Sequence, residues 1–180
     1  MKSVMLSIRP KWCEKIVSGE KTIEVRKTKP KLETPFKCYI YCTSGRPDLN
    51  IPISPERLMQ DYLETGSMQS LNCPLGNGKV IGEFACNRID RLAPANEPYG
   101  IYDIDDDYVS QTCLENGALW DYGHGTPLYG WHISNLRIYD EPRELSEFTG
   151  LRNTRFGAAP YDIKRPPQSW CYVEEWEENE

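Results

Sequence analysis

Hydrophobic and polar positions along the chain set out a run of strands with few long helices. VMLSIR at 4–9 alternates well enough to predict a strand. Pro10 follows, and proline fits a first helical turn, where its missing N–H costs nothing. Trp12, Cys13, Ile16 and Val17 then share one helical face, with Lys11, Glu14, Lys15 and Ser18 on the other. Gly19 is placed to cap that helix at its C-terminus. The β-branched TIEVRK after it predicts a strand with Ile23 and Val25 on one face and Thr22, Glu24 and Arg26 on the other. Lys21 lies in the turn between them, where pattern does not set its direction.

Further strands are predicted at FKCYIYCT (36–43), at KVIGEFACNRI after the turn Gly76-Asn77-Gly78, and at LYGWHISNLRIYD (128–140). Prolines and glycines punctuate 45–78, which reads as an insertion carrying a helix at 55–64, because about 30 residues cannot bury a core unaided. A helix is predicted at 107–116, ended by Gly117, and a short one at PRELSEF. The stretch 149–163 reads as loop, PPQSWCYVE as the approach to a last strand, and 174–180 as a frayed acidic tail. Strands that do not alternate with long helices predict an α+β fold: one domain over 1–180 with a mixed, largely antiparallel sheet curling into a small barrel flanked by helices.

Composition changes this picture little, with 39% hydrophobic and 27% charged residues marking an ordinary folded chain. No stretch approaches the roughly 18 apolar residues that a span requires, and the N-terminal apolar run is too short for a signal sequence. The expectation is a cytoplasmic protein with no membrane partner. Seven cysteines without a CxxC pair predict reduced thiols rather than a disulfide framework.

Charge adds more. The net value of −6 argues against a polyanionic partner, yet residues 1–46 hold eleven Lys or Arg against four Glu, while the remainder holds ten against twenty-three acids. The basic excess thus sits around residues 19–26, which makes a phosphate-bearing ligand a reasonable candidate.

Those residues read Gly19-x-Lys21-x-x-Glu24-x-Arg26. Arg26 is a permanent cation whose planar fork can grip a phosphate or carboxylate, and Glu24 on the same strand face can orient it. Lys21 can contact an anionic group, or act as a base if burial lowers its pKa. The plain structural alternative is an exposed cross-strand ion pair worth under about 1 kcal/mol.

With a strand and an amphipathic helix before it, this pattern resembles the GxKxxExR signature of the ASCH domains, a family with a PUA-like β-barrel fold. PPQSW near the C-terminus supports the resemblance, which covers the N-terminal third best. It implies a cleft lined by the motif that takes RNA, a nucleotide or a modified nucleoside, because PUA relatives bind RNA. Some small ASCH proteins deacetylate acetylcytidine and others are reported to cleave RNA, so the resemblance also implies a hydrolase alternative with Lys21 and Glu24 as acid and base. Deacetylating members carry a Thr nucleophile three residues after the motif Lys, where this chain has Glu24. Their mechanism therefore does not carry over, and Thr22 is the substitute nearest in sequence.

Around the motif, Arg9, Lys11 and Ser44 are candidate rim contacts because they neighbour the same strand ends. Trp12, Trp131 and Trp170 are candidate stacking faces for an unpaired base, whereas Trp120 and Trp176 fall in loop and tail. Gln168 and Ser169 supply the amide and hydroxyl groups that read base edges. The run DIDDD at 103–107 lacks the Gly and Glu of a calcium loop, leaving a protein partner for an acidic surface as a third expectation. LGNGKV lacks the hydroxyl residue of a phosphate loop. His124 and His132 join Cys38 and Cys42 in no zinc spacing, and His124 reads as an exposed turn residue. Neither a metal nor a cofactor is expected.

Overall fold

The computed structural model describes residues 1–44, 63, 77–95 and 100–176. Its framework is one eight-stranded sheet: β1 (Lys2–Ile8), β2 (Ile23–Arg26), β3 (Phe36–Cys42), β4 (Lys79–Leu92), β5 (Leu128–Arg143), β6 (Thr149–Thr154), β7 (Gly157–Asp162) and β8 (Trp170–Glu174). The strand order is β2-β5-β4-β3-β1-β8-β6-β7, antiparallel throughout except for the parallel pair β1 and β3. Helix α1 (Pro10–Val17) supplies part of the connection between β1 and β3; α2 (Asp106–Thr112) and α3 (Asn116–Gly123) lie between β4 and β5.

The sheet is α+β in class and barrel-like without closing. Arg26 on the edge strand β2 donates to the carbonyl of Ser7 on β1, four places away in strand order, which a flat sheet could not permit. Register breaks in β4 after Val80, Glu83 and Cys86 supply the curl, since each bulge bends its strand and raises the local twist. Gly82 lies against the backbone of Ile138 at one of them, where an added Cβ would meet its Cα at 3.0 Å.

Both faces of β1 and β3 are covered, so these strands read as continuous apolar runs rather than strict alternations. Leu6, Ile8, Cys38, Ile40 and Cys42 join Cys13 and Ile16 of α1, Phe84 and Trp131 in one cluster. Met5, Tyr39 and Tyr41 join Tyr139, Phe148, Ile163 and Val173 in the other. A third cluster of Val25, Leu92, Tyr102, Leu119 and Leu128 sits beneath α2 and α3.

Four expectations are corrected. The helix over 107–116 is two helices: Cys113 breaks the first with a left-handed φ of 55°, and Gly117, with Trp120, lies inside the second. Residues 149–163 form the hairpin β6–β7, which the sequence hides because both strands are largely exposed and carry Gly and Pro instead of alternating apolar residues. The helix at PRELSEF contracts to a 3₁₀ turn, Leu145–Glu147. The frayed tail begins later than 174, because Glu174 ends β8 and Trp176 packs on Phe148 and Tyr139. The 55–64 helix and nearly all of the 45–78 insertion fall outside the described residues. Among those described, no helix is long and apolar enough to cross a membrane.

Candidate functional site

The segment from α1 to β2 places the motif as its pattern predicted. Pro10 starts α1, Cys13 and Ile16 bury its inner face, and Gly19 leaves the helix at φ 79°. That turn lets the Lys21 N–H bond back to the Lys15 carbonyl (2.8 Å) and feeds the chain into β2, which pairs with β5 through Glu24↔Trp131 and Arg26↔Tyr129. Thr22 N–H donates to the Gln111 carbonyl of α2. The motif strand thus has β5 along one edge and the end of α2 over its start.

Lys21, Glu24 and Arg26 form a continuous ion chain. Lys21 Nζ lies 3.4 Å from Glu24 Oε2, and Arg26 Nη2 lies 2.9 Å from Glu24 Oε1. Their side chains are only 1%, 8% and 8% exposed, so the solvated ion pair that spacing alone allowed is not what forms. Further acceptors hold the cations: Lys21 Nζ donates to the Thr112 carbonyl at 2.6 Å, Arg26 Nη2 to the Ser7 carbonyl at 2.9 Å, and Arg26 Nη1 to the Ser169 carbonyl at 3.2 Å. Ser169 Oγ is a longer acceptor at 3.4 Å. The Arg26 fork is therefore already occupied by protein, and the residue ties the end of β1 to the start of β8. Its Nε is buried without a partner.

A cavity of about 610 Å³ opens on this chain. Its wall comes from the end of β1 (Ser7, Ile8) and Arg9 after it, from Trp12, from Leu114 between α2 and α3, from Ala118 and Tyr122 of α3, and from Pro166 to Ser169. Lys21 Nζ stands 5.2 Å from the centre of the Trp12 ring. Tyr122, with Lys27 Nζ 4.9 Å from its ring centre, has its phenol pushed up first by burial and also by the Glu24 carboxylate, against the lowering influence of Arg26. Beneath α1, burial pushes the Cys13 thiol well up, while its hydrogen bond to Cys42 lowers that of Cys42.

Of the residues singled out from sequence, Arg9, Trp12, Lys21, Glu24, Arg26, Gln168 and Ser169 line this one cavity. Four others do not. Lys11 lies over the Trp12 ring, 4.8 Å from its centre, without joining the lining, and Ser44 is replaced on the wall by its neighbour Thr43. Trp131 is fully buried, edge-on to Phe36, and so is core rather than a stacking face. Trp170 packs against Trp131 and Tyr172 and donates to Thr28 Oγ1. Thr22 is exposed and outside the lining, which removes it as a substitute nucleophile. Sequence reasoning missed Leu114, Ala118 and Tyr122, because the helix predicted there ran through the break at Cys113.

The remaining candidates have local structural uses. In the acidic run, Asp105 caps α2 by accepting from the Tyr108 N–H, and Asp107 accepts from Gln111. His132 is held by Asp90 at 2.6 Å, and His124 is an exposed C-cap with φ 50°. The described cysteines are all free thiols.

No curated protein matches the chain. Among solved structures, the crystal structure of ASCH from Zymomonas mobilis aligns over 96% of this chain and 88% of its own, with 18% identity and a TM-score of 0.51. A point variant of that protein aligns over 96% and 89%, at 19% identity and a TM-score of 0.49. The likeness to the unmodified protein extends to the fold alone, an α+β architecture built on one curled sheet. The ASCH domain family model matches residues 6–48, from the end of β1 through α1, the Lys21–Glu24–Arg26 strand and β3, so the stretch that builds the cavity floor is where this chain is similar to ASCH domains.

Proposed function

We propose that the cavity receives a nucleobase, carried by RNA, by a nucleotide or by a modified nucleoside, and that the protein is a binding module. The observation that carries this is the buried Lys21–Glu24–Arg26 chain on the floor of an otherwise largely apolar cavity. With the Arg26 fork already bonded to Glu24, Ser7 and Ser169, the floor lacks the free bidentate cation that a phosphate favours. What remains is one Lys21 N–H and the second lone pairs of Glu24: a donor and an acceptor side by side, as on the edge of a base. Trp12, Val25, Leu114 and Ala118 supply the apolar wall, and the volume suits a small aromatic ligand.

Calorimetric titration of the full chain with the four nucleosides, their 5′-monophosphates and acetylated cytidine tests the reading. Binding of at least one, lost in Lys21→Met and Glu24→Gln while circular dichroism confirms folded protein, is expected. Unchanged affinity in both folded variants refutes it.

A second reading, hydrolysis of a modified nucleoside or of RNA, is favoured by the contact between the buried Lys21 and Glu24 side chains, with Ser169 lining the same cavity. Release of acetate or of cleaved RNA, abolished in Lys21→Met, would select it over simple binding.

A further inference from the structure

The β6–β7 hairpin is used by neither the core clusters nor the cavity at its tip. Arg155 and Phe156 form that tip, beyond the last pair Thr154↔Gly157. The turn is ordered: Thr154 Oγ1 donates to the Gly157 carbonyl at 2.8 Å and accepts from the Phe156 N–H at 3.2 Å. Phe156 is nonetheless 85% exposed, with the Arg155 guanidinium carbon 4.5 Å from its ring centre. Gly157, at φ 113°, takes the one left-handed position of the reversal, so chain reversal does not dictate Arg155 and Phe156, which hold a cation and an aromatic face in water.

Charge follows the same segment. Between Thr149 and Ser169 four cations, Arg152, Arg155, Lys164 and Arg165, stand against the single carboxylate of Asp162, in a chain of net charge −6. All four cations are exposed, and none enters an ion pair among the described residues. Lys164 and Arg165 run directly into Pro166, Pro167, Gln168 and Ser169, which line the cavity. The basic run thus ends at the cavity wall.

We propose that the hairpin tip and the Lys164–Arg165 run form a tracking surface for a single-stranded nucleic acid. The cations would engage backbone phosphates beside the nucleotide whose base enters the cavity, with Phe156 as a stacking face for a neighbouring base. The proposal rests on the nucleobase reading and extends it from a free nucleoside to a nucleotide within a strand. Exposed cations with an interleaved aromatic face are what a flexible, unpaired polyanion engages, because every base has a π-face and every linkage a charge. Pro160 within the edge strand β7 makes strand addition by a peptide the poorer fit.

Fluorescence anisotropy of the full chain with a labelled mixed-sequence RNA of ten nucleotides, and DNA of the same sequence, tests this beside titration with 5′-mononucleotides. Phe156→Ser and the double variant Lys164→Ser/Arg165→Ser should each weaken ten-nucleotide binding about tenfold, while mononucleotide affinity stays within about twofold. The double variant should also flatten the dependence of log Kd on log salt by about 0.7 for each phosphate that the protein no longer neutralises. Both variants change exposed residues and are expected to fold. Wild-type affinity and salt slope in both overturns the proposal, as does an acidic decapeptide that binds as tightly as the RNA. The two readings separate cleanly: loss of mononucleotide binding in Lys21→Met reports on the cavity, and loss of strand binding in the hairpin variants reports on this surface.

Discussion

Replacing Glu24 by Gln should destabilise the protein by about 3–5 kcal/mol, the range for removing one partner of a buried ion pair. The Glu24 carboxylate lies between two cations, at 3.4 Å from Lys21 Nζ and 2.9 Å from Arg26 Nη2, in a site where no member exceeds 8% exposure. At an effective dielectric near 20, each of these pairs is worth about 5 kcal/mol of attraction. Desolvating each ion costs several kcal/mol, so the intact chain is close to neutral in net stability. The amide abolishes the attraction but leaves both cations buried and facing one another. Lys21 retains the Thr112 carbonyl and Arg26 the Ser7 and Ser169 carbonyls, which keeps the loss below the full Coulomb figure. Urea unfolding at neutral pH measures the effect, and for a chain of this size each kcal/mol lowers Tm by roughly 2–4 °C. Glu24→Gln combined with Lys21→Met should recover part of the loss, because only one buried cation then lacks its partner. A loss below about 1 kcal/mol, the range of exposed pairs, with no recovery in the double variant, would refute the claim that the chain is desolvated.

Gly130→Ala should cost about 1–3 kcal/mol, read from the urea midpoint, because the added methyl overlaps the Tyr108 hydroxyl and lies 3.0 Å from Ile23 Cγ2, pushing α2 off the sheet. Trp131→Ala should cost about 3–5 kcal/mol as a core truncation, whereas Trp12→Ala should chiefly weaken ligand binding, by about 1–3 kcal/mol if its ring stacks on a base; parallel stability and calorimetry measurements separate the two. Burial pushes the Tyr39 hydroxyl up to about 12. Unfolded tyrosine ionises near pH 10, so between about pH 10 and 12 the native state keeps a proton that the unfolded state loses, and stability falls as pH rises through that window. Urea unfolding from pH 9 to 12 should show a shallower fall in Tyr39→Phe than in the wild type; Tyr108, Tyr139 and the thiols Cys38, Cys86 and Cys171, also raised by burial, contribute to the fall that remains.

The amino-acid order alone determined the local pieces around the motif. Pro10, the apolar face of α1 and Gly19 suffice for a helix and its exit, and Ile23 and Val25 for a strand that sets Glu24 and Arg26 on its other face. The strands β1, β3, β4, β5 and β8 were legible for a similar reason, since each has a side facing one of the apolar clusters. Hairpin β6–β7 was not, because its exposed positions carry no periodic signal, and neither was the break at Cys113, a non-glycine residue in the left-handed region. Tertiary structure decided what the local pattern left open. It turned Lys21 inward to the Thr112 carbonyl, committed the Arg26 fork to Ser7 and Ser169, sank Trp131 into the core and brought Leu114, Ala118 and Tyr122 over the motif. Periodicity specifies which face of an element is apolar, but whether a polar face meets water or folds onto itself depends on how far the sheet curls, and that is set by pairings between residues far apart in the chain.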